Sequence, residues 1–476
     1  MVSRLNVLAN LHDVTGALMT IMRRFFLFLT MGFWALIGLM YLLTSSAATP
    51  LMVGGTQPTT SVIAPDDFDC SSVAEIPTIE CQTLVSFYNA LNGNNWIDKS
   101  NWLMTTTPCN WFGITCSGNH VSDIKMQGNA LNGTIPSDIG NLSQLRLFHL
   151  HNNQISGSFP ASFTNMTELQ SIRLNNNQLS GGISSNFGNL SQLQLIDLSN
   201  NSLSGSISGA LGNLSSLQTL DLSNNDFIGS IPSNIGALSQ LQRLSLNGNN
   251  LTGSIPGSLG NLTNLQRINL SHNQIGGIIP NELSSLTYLT GIDVSNNQLT
   301  GAIPNYLGNI TGLSGIRLEN NQLSGIIPSN LGNLSNIIDL DLSGNRIDGN
   351  IPASIGNIST LTRLYLGNNQ IKGDIPDSIT NLTSLSSGQT DIGYNMLYST
   401  SPAVIAFLSS KDPDWNNTQT IAPANLQGAG QANGSVQLTW TPIPYATDGG
   451  YYELGVSPSS GGPYTTTGTT VNFSFR

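Results

Sequence analysis

The sequence is poor in charged residues, above all in basic ones. Of 476 residues, 9% are charged, with 15 Lys and Arg against 26 Asp and Glu, and the formal net charge is −11. A chain this acidic cannot neutralise a phosphate backbone, which excludes nucleic acid as its partner. Soluble domains average about 25% charged residues, so the hydrophobic fraction of 39% predicts a folded chain whose polar surface is uncharged.

Histidine is also scarce, and the sequence contains no recognisable catalytic motif. It has no phosphate-binding glycine loop, no paired glutamates and no His-Glu-x-x-His motif. We therefore predict no enzyme activity, no cofactor and no bound metal. Asparagine, by contrast, outnumbers all charged residues together and accompanies 49 glycines, which predicts many similar turns.

The N-terminal region contains one long apolar run. Residues 25–43 are 19 uncharged residues that follow Arg23 and Arg24 and precede the small residues Ser45 to Ala48. This pattern fits a cleaved signal peptide, and the length also suits an uncleaved signal anchor behind a stub of residues 1–24. Either alternative exports residues 50–476, secreted or membrane-anchored through residues 25–43 alone. Residues 44–66 are rich in Ser, Thr, Pro and Gly, which predicts a linker.

The four cysteines are Cys70, Cys81, Cys109 and Cys116, all just beyond the export segment. An even number in an exported chain predicts two disulfides, and of three possible pairings the simplest joins Cys109 to Cys116 and Cys70 to Cys81. Zinc is the competing interpretation, but no Cys-x-x-Cys pair is present. A helix is predicted to start near Thr78, with apolar residues at helical spacing.

A strict internal repeat dominates the chain. Each copy of the repeat has the pattern L-x-x-L-x-L-x-x-N-x-L-x-G-x-I. In one copy, Ile196 and Leu198 alternate with exposed positions, as in a short strand. The Asn amide can bond the backbone groups of the following turn, and stacked copies can share a core that one copy cannot form alone. The repeated asparagines stand 24 residues apart, at positions 129, 153, 177, 201, 225, 249, 273, 297, 321, 345 and 369.

With its L-x-G-x-I-P ending and the following L-G-N-L, this frame resembles the plant-type leucine-rich repeat. The run PCNWFGITC resembles the cysteine-bearing N-terminal cap of that family. The resemblance covers residues 70 to 397 and implies an α/β solenoid, a right-handed superhelix with a parallel sheet on its concave face, placed outside the cell. Two departures are that Ile183 and Ile207 precede Ser instead of Pro, and that Asn395 comes two residues late.

The predicted organisation is a cap over 67–120, repeats over 121–398, a linker over 399–421 and a separate segment over 422–476. In the last segment short alternating runs around Trp440 and around Tyr451, Tyr452 and Leu454 predict strands. They resemble the first half of a fibronectin type III domain. Because that domain needs about 90 to 100 residues, the segment is predicted to be an incomplete β-sandwich.

Register predicts which residues line the concave face. Arg243 and Arg267 should lie side by side there, and two like charges on neighbouring strands repel unless an anion or a nearby carboxylate lies between them. Elsewhere opposite charges should be neighbours: Arg173 with Asp197, Arg317 with Asp341, and Asp339 with Arg363. The candidate ligand contacts are Arg243, Arg267, His149, His151, Arg173, Arg317, Glu319, Arg363 and Tyr365.

Two further patterns have simpler explanations. His149 and His151 share one side of a strand, a spacing that can hold a metal, but Lys125 and Arg173 beside them repel cations. Asn-Leu-Ser/Thr triplets are formal acceptors for N-glycans, although their place in the repeat offers a structural reason for them. Six of these triplets recur at one place in the repeat, beginning at Asn141, Asn189, Asn213, Asn261, Asn333 and Asn381.

The sequence therefore predicts an exported recognition protein that binds an extracellular protein or glycan through the concave face. The alternative is a structural spacer or adhesin stalk of the cell envelope. A spacer should carry interchangeable residues in every copy, whereas a binder should concentrate unusual ones. The unusual residues on this face favour binding.

Overall fold

The computed structural model describes residues 7–8, 68–419, 424–430, 436–441, 452–456, 465–470 and 474–475, with side chains described for 68–419. The chain divides into two compact units, residues 63–419 and residues 1–62 with 420–476. The larger unit contains the cap and the repeats and is described first.

The predicted stack of coils is confirmed, and each coil contributes one short strand to a sheet of 13 strands, here called the main sheet. The first two strands pair antiparallel, and all later neighbours pair parallel with a 24-residue offset, as in Leu220 with Leu244. Only the last pair is offset further, since Leu364 pairs with Thr390. The strands are Ile114–Ser117, His120–Lys125, Leu147–His149, Ser171–Arg173, Leu195–Asp197, Thr219–Asp221, Arg243–Ser245, Arg267–Asn269, Gly291–Asp293, Gly315–Arg317, Asp339–Asp341, Arg363–Tyr365 and Thr390–Asp391.

After the main strand, each coil forms a second strand and then a 3-10 helix. The second strands make parallel sheets of six, four and two strands: Asn132–Thr134, Gln154–Gly157, Gln178–Gly181, Ser202–Ser206, Asp226–Ser230 and Asn250–Thr252; Gly276–Gly277, Gln298–Ala302, Gln322–Ile326 and Arg346–Asp348; Lys372–Asp374 and Met396–Tyr398. The 3-10 helices of the coils are Ile139–Asn141, Ala161–Asn165, Ser185–Asn189, Gly209–Asn213, Ser233–Ala237, Gly257–Asn261, Asn281–Ser285, Asn305–Asn309, Ser329–Asn333, Ala353–Asn357 and Asp377–Asn381.

The repeated asparagines join neighbouring coils. The Oδ1 of Asn225 accepts from the backbone N–H of Leu203 at 2.9 Å, and its Nδ2 donates to the carbonyls of Leu198 and Leu222 at 3.0 and 3.1 Å. Because buried backbone groups must be paired, one amide satisfies groups of two coils at once. The late Asn395 does the same, accepting from Ile371 at 3.0 Å, since the preceding coil is two residues longer.

Leucine and isoleucine at the repeat positions form one continuous core, in which Leu193, Ile196 and Leu198 are at most 1% exposed. Coils approach so closely that only glycine fits at some positions. A Cβ on Gly236 would lie 2.3 Å from the carbonyl oxygen of Ser258 in the next coil. Where Ile-Pro is replaced by Ile-Ser, Ser184 and Ser208 cap the following 3-10 helix through their side chains.

The N-terminal cap contains three 3-10 turns, Cys70–Ser72, Gly93–Asn95 and Pro108–Asn110, and the helix α1, Thr78–Ala90. Both disulfides of the simplest predicted pairing are present, Cys70–Cys81 and Cys109–Cys116. The predicted helix is confirmed, with Leu84 and Phe87 fully buried. The buried Glu80 ties α1 to the first strands, because its carboxylate accepts from the backbone N–H of Val121 at 2.8 Å.

At the other end, the solenoid continues through residues 399–419, which belong to the segment 399–421 predicted to be a linker. Helix α2, Pro402–Lys411, packs Val404 and Leu408 onto the last coil, and Trp415 is 1% exposed. Gln419 lies 24 residues after Asn395, and its Oε1 accepts from the N–H of Leu397 at 3.0 Å. The last coil needs an apolar cover and a hydrogen-bond partner for its turn, which α2, Trp415 and Gln419 provide. The compact unit ends at Gln419.

In the smaller unit the described strands pair antiparallel. One group is Ala424–Gly430, Val436–Thr441 and Ser474–Phe475, and the other is Val7–Leu8, Tyr452–Val456 and Thr465–Thr470. Strands were predicted in 422–476, while the fibronectin type III resemblance stays a prediction. Residues 25–43 lie outside the described residues. No helix in the described part of the chain is long and apolar enough to span a bilayer.

Candidate functional site

The candidate site is the outward side of the main sheet, called here the open face. Each strand presents two side chains there, one on each side of a buried residue such as Leu244. Successive strands lie about 4.8 Å apart, so the side chains form two ladders. Row A is Asp123, Leu147, Ser171, Leu195, Thr219, Arg243, Arg267, Gly291, Gly315, Asp339 and Arg363, and row B is Lys125, His149, Arg173, Asp197, Asp221, Ser245, Asn269, Asp293, Arg317, Asp341 and Tyr365.

Arg243 and Arg267 are direct neighbours in row A, as the repeat register predicted. Both side chains are exposed. Within residues 68–419, no carboxylate forms an ion pair with either of them. Two guanidinium groups on adjacent strands therefore present an uncompensated positive charge to solvent, which favours an anionic ligand group.

Row A continues from these arginines into two glycines. A Cβ built on Gly291 or on Gly315 would meet no heavy atom within 4 Å, so the face is open above both strands. The next side chain in the row is Asp339. From Arg267 to Asp339 is three strand spacings, or about 14 Å, and this interval is a glycine floor where a ligand backbone can approach the sheet closely.

Beyond the floor, Asp339 is the centre of a charged group. Its Oδ2 lies 2.6 Å from Nη2 of Arg317 and 3.1 Å from Nη2 of Arg363. The predicted neighbours are adjacent in register, but Arg317 reaches diagonally to Asp339 instead of pairing with Asp341. Asp341 is already engaged, because its Oδ1 accepts from the backbone N–H and the hydroxyl of Ser343 at 3.0 and 2.6 Å.

The same local hydrogen bonding explains why the first predicted ion pair, Arg173 with Asp197, does not form. Oδ1 of Asp197 accepts from the N–H and hydroxyl of Ser199 at 3.2 and 2.7 Å. Arg173 is its register neighbour, yet the two are not among the ion pairs formed between residues 68 and 419. Aspartates of the repeated Asp-Leu-Ser sequence thus use Oδ1 to stabilise their own turn, where it is engaged by the serine and not by an arginine of the next strand.

The histidines lie near the N-terminal end of the open face. Nε2 of His149 is 2.8 Å from the hydroxyl of Ser171. Burial, and then the positive charge of Arg173, lower the pKa of His149 to about 4, so this ring is neutral at physiological pH. Burial also lowers the pKa of His151, whose buried Nδ1 has no hydrogen-bond partner.

Glu319 and Tyr365 lie near the C-terminal end. Burial, followed by repulsion from Asp341, raises the pKa of Glu319 to about 7. Its Oε2 is buried without a hydrogen-bond partner. The hydroxyl of Tyr365 donates to Oε1 of Gln389 at 2.9 Å, and burial raises the pKa of this tyrosine.

The structure thus separates the nine candidate residues into three groups along the open face. The histidines lie with Arg173, the arginine pair stands at the centre, and Arg317, Glu319, Arg363 and Tyr365 gather around Asp339. The glycine floor was not among the predicted site residues. The signal available was the loss of a side chain at the same row position in two consecutive copies, Gly291 and Gly315.

The cap and the repeats match models of known protein families. The leucine-rich repeat N-terminal domain matches residues 80–117, the leucine-rich repeat region matches 178–303, and two further leucine-rich repeat models match 144–166 and 311–371. A curated relative from Arabidopsis thaliana, the probable inactive receptor kinase RLK902, is 41% identical over 69 residues, which are 14% of this chain and 10% of that protein.

Two solved structures resemble larger parts of the chain. The plant peptide hormone receptor RGFR1 in complex with RGF2 is 36% identical with a TM-score of 0.56, over 59% of this chain and 44% of that one. The Arabidopsis receptor kinase HAESA, in complex with the peptide hormone IDA and the co-receptor SERK1, is 31% identical with a TM-score of 0.58, over 70% of this chain and 60% of that one. The chain therefore spans less than two thirds of these proteins. Together with the 13-stranded sheet, the matches show that this chain is a leucine-rich-repeat protein whose solenoid carries a leucine-rich-repeat N-terminal domain.

Proposed function

We propose that this protein is an exported recognition protein that binds an extracellular peptide, or an extended segment of a protein, on the open face of the main sheet. The single observation that carries this proposal is the sequence of row A from Arg243 to Asp339. Two unpaired arginines lead onto an open glycine floor and then to a carboxylate held between two arginines.

Each part of this arrangement has a chemical counterpart in a peptide. The arginine pair favours a carboxylate or another anionic group, which a guanidinium binds through two parallel hydrogen bonds. The glycine floor admits a backbone or a flat ring, because no Cβ projects from Gly291 or Gly315. An extended chain rises about 3.3 Å per residue, so four or five residues span the interval from Arg267 to Asp339.

Similar proteins support a peptide over a glycan. The structures of RGFR1 and HAESA each contain a peptide hormone. Those receptors are longer than the matched region, so their signalling activity is not carried over. What supports the proposal is a shared solenoid at 31 to 36% identity, with unusual residues concentrated on the sheet of this chain.

We further infer that residues 25–43 export the chain, as a signal peptide or as an anchor, so that the solenoid lies outside the cell. The basic flank and the 19 uncharged residues support this placement. We also propose that residues 422–476 form a segment similar to a fibronectin type III domain, supported by antiparallel strands there.

The test is a binding screen of the exported protein against an array of extracellular peptides, followed by the double variant Arg243→Ser, Arg267→Ser. Charge-assisted hydrogen bonds contribute about 1.5–3 kcal/mol each. We therefore expect the double variant to lose at least about tenfold in affinity for any peptide hit, with a smaller salt dependence of what remains.

A matched control removes two cations from elsewhere. Arg346 and Lys372 are exposed on the second strands, and replacing both by Ser changes the net charge equally but should leave affinity within about twofold. A peptide that binds equally to both double variants would contradict the assignment of the arginine pair. The spacer alternative would be favoured if no peptide or glycan bound and if shortening the solenoid only reduced the thickness of the cell-surface layer.

A further inference from the structure

A second surface of the solenoid carries its own repeated chemistry. Six Asn-Leu-Ser/Thr triplets follow the repeat, and the structure adds Asn165, Asn309 and Asn357 at the same place in their coils, each followed two residues later by Thr or Ser. All nine asparagines are the last residue of a 3-10 helix. We call them the acceptor row: Asn141, Asn165, Asn189, Asn213, Asn261, Asn309, Asn333, Asn357 and Asn381.

Both reactive positions of each triplet are accessible. Every asparagine of the acceptor row is exposed, and so is the Ser or Thr two residues on. Asn141 donates a hydrogen bond to the hydroxyl of Thr83 at 3.2 Å. Within residues 68–419 the other eight side-chain amides make no hydrogen bond, in contrast to the buried Asn225 and its equivalents.

The fold does not require an amide at this position. Ala237 and Ser285 end their 3-10 helices where the other coils have Asn. The turn after Ala237 keeps the bond from the N–H of Ser239 at 2.9 Å, and the turns after Ser285 and Asn261 have bonds of the same length. Because an alanine supports the same geometry, the turn gives no reason for asparagine to recur.

We propose that the acceptor row is a series of N-glycosylation sites along the flank formed by the 3-10 helices. The donor is an oligosaccharide linked to a lipid pyrophosphate. The asparagine Nδ2 forms a bond to C1 of the first sugar and gives up one proton. The C1–O bond breaks, and the lipid pyrophosphate leaves with the electron pair.

Glycans on this flank would supply what the composition lacks. Only 9% of residues are charged, so solvation of this long surface depends on uncharged groups, and N-glycans are bulky and strongly hydrated. The acceptor row is also separate from the open face, because its asparagines lie in the 3-10 helices, which contact the 3-10 helices of neighbouring coils and are not part of the main sheet. The glycans therefore cover one flank and leave the ligand-binding face accessible.

The experiment uses the full chain purified from the cells that export it. Peptide-N-glycosidase in heavy-oxygen water converts each glycosylated Asn to labelled Asp, and mass spectrometry then counts the labelled positions. We expect label at most of the nine, and none at Asn201, which is followed by Ser-Leu. The variant Ser285→Asn, which creates a triplet with Thr287, should gain one further glycan.

Two results would overturn the proposal. One is the absence of label from all nine positions. The other is label confined to triplets outside the acceptor row, such as Asn132 and Asn250 in second strands and Asn269 in a main strand. Thermal unfolding provides an independent measurement: Asn213→Gln should leave Tm unchanged, whereas a drop of several degrees would show that the amide is retained for the fold.

Discussion

At the residue scale, asparagine plays two different roles in most coils. The buried asparagine bonds to backbone groups of two coils, while the asparagine just before it adopts a left-handed conformation, as Asn224 does at φ 53°. Gly128, Gly248 and Gly344 fill the latter position in three coils, which agrees with a requirement for positive φ, and His272 and Tyr394 adopt the same conformation in two others. Asparagine is abundant because it satisfies both requirements.

Replacing a buried asparagine should therefore be costly. Asn225→Ala leaves the N–H of Leu203 and the carbonyls of Leu198 and Leu222 without their partner. We expect a loss of about 3 kcal/mol in the free energy of unfolding, measured by urea denaturation. Asn234→Ala in the next 3-10 helix is the control, since this side chain is exposed and should change stability by less than about 0.5 kcal/mol. Equal losses in both variants would refute the role assigned to the buried amide.

Glu319 predicts a pH dependence of stability. Its pKa rises from 4.5 in the unfolded chain to about 7 in the fold, so the folded state binds the proton more tightly. Its stabilising effect is complete below pH 4.5 and is lost as the pH rises through 7. Glu319→Gln should therefore raise Tm relative to the native protein more at pH 8 than at pH 5.

The exposed Glu168→Gln provides the control for this measurement. Thermal unfolding between pH 5 and 8.5, followed by circular dichroism, distinguishes the two variants. A difference between Glu319→Gln and the native protein that does not vary with pH would contradict burial of an uncompensated carboxylate. Burial is the largest cause of this raised pKa, and the charges of Asp341 and then of Asp293 on the neighbouring strands add to it.

At the element scale, the two ends of the solenoid are closed by different means. The N-terminal end uses two disulfides, α1 and an aromatic cluster in which the rings of Trp96 and Trp102 lie 5.0 Å apart. The C-terminal end uses α2, Trp415 and Gln419, whose longer side chain replaces the repeated asparagine. Repeat proteins need such terminal covers because the outermost coil has only one neighbour.

Trp415→Ala should loosen the last coils selectively. Removing a fully buried tryptophan costs about 3–5 kcal/mol, and coils contact only their neighbours. We expect faster hydrogen exchange in Met396–Tyr398 and unchanged exchange in Thr219–Asp221. Ile405→Ala, on the exposed side of α2, should alter neither segment. Uniformly faster exchange along the whole solenoid would instead indicate that the structure unfolds as one cooperative unit.

At the scale of the whole molecule, the solenoid distributes its functions over different surfaces. The core is uniform and the main sheet is held by regular backbone pairing, so the open face is free to carry unusual side chains without cost to the fold. The proposed ligand contacts interrupt the repeat there, whereas the acceptor row follows it in nine of the eleven 3-10 helices of the coils. This difference is expected if one surface recognises a particular ligand and the other provides solvation.

The sequence by itself determined the stack of coils, the core positions, the cap and the register of the open face. It could do so because coils of equal length must align residue for residue, so that a 24-residue offset places Arg243 beside Arg267. Only the tertiary structure decided that Arg317 pairs with Asp339, that the floor above Gly291 and Gly315 is open, and that the solenoid ends at Gln419. These features depend on distances between side chains, on burial and on competing hydrogen bonds, none of which the period of the repeat encodes.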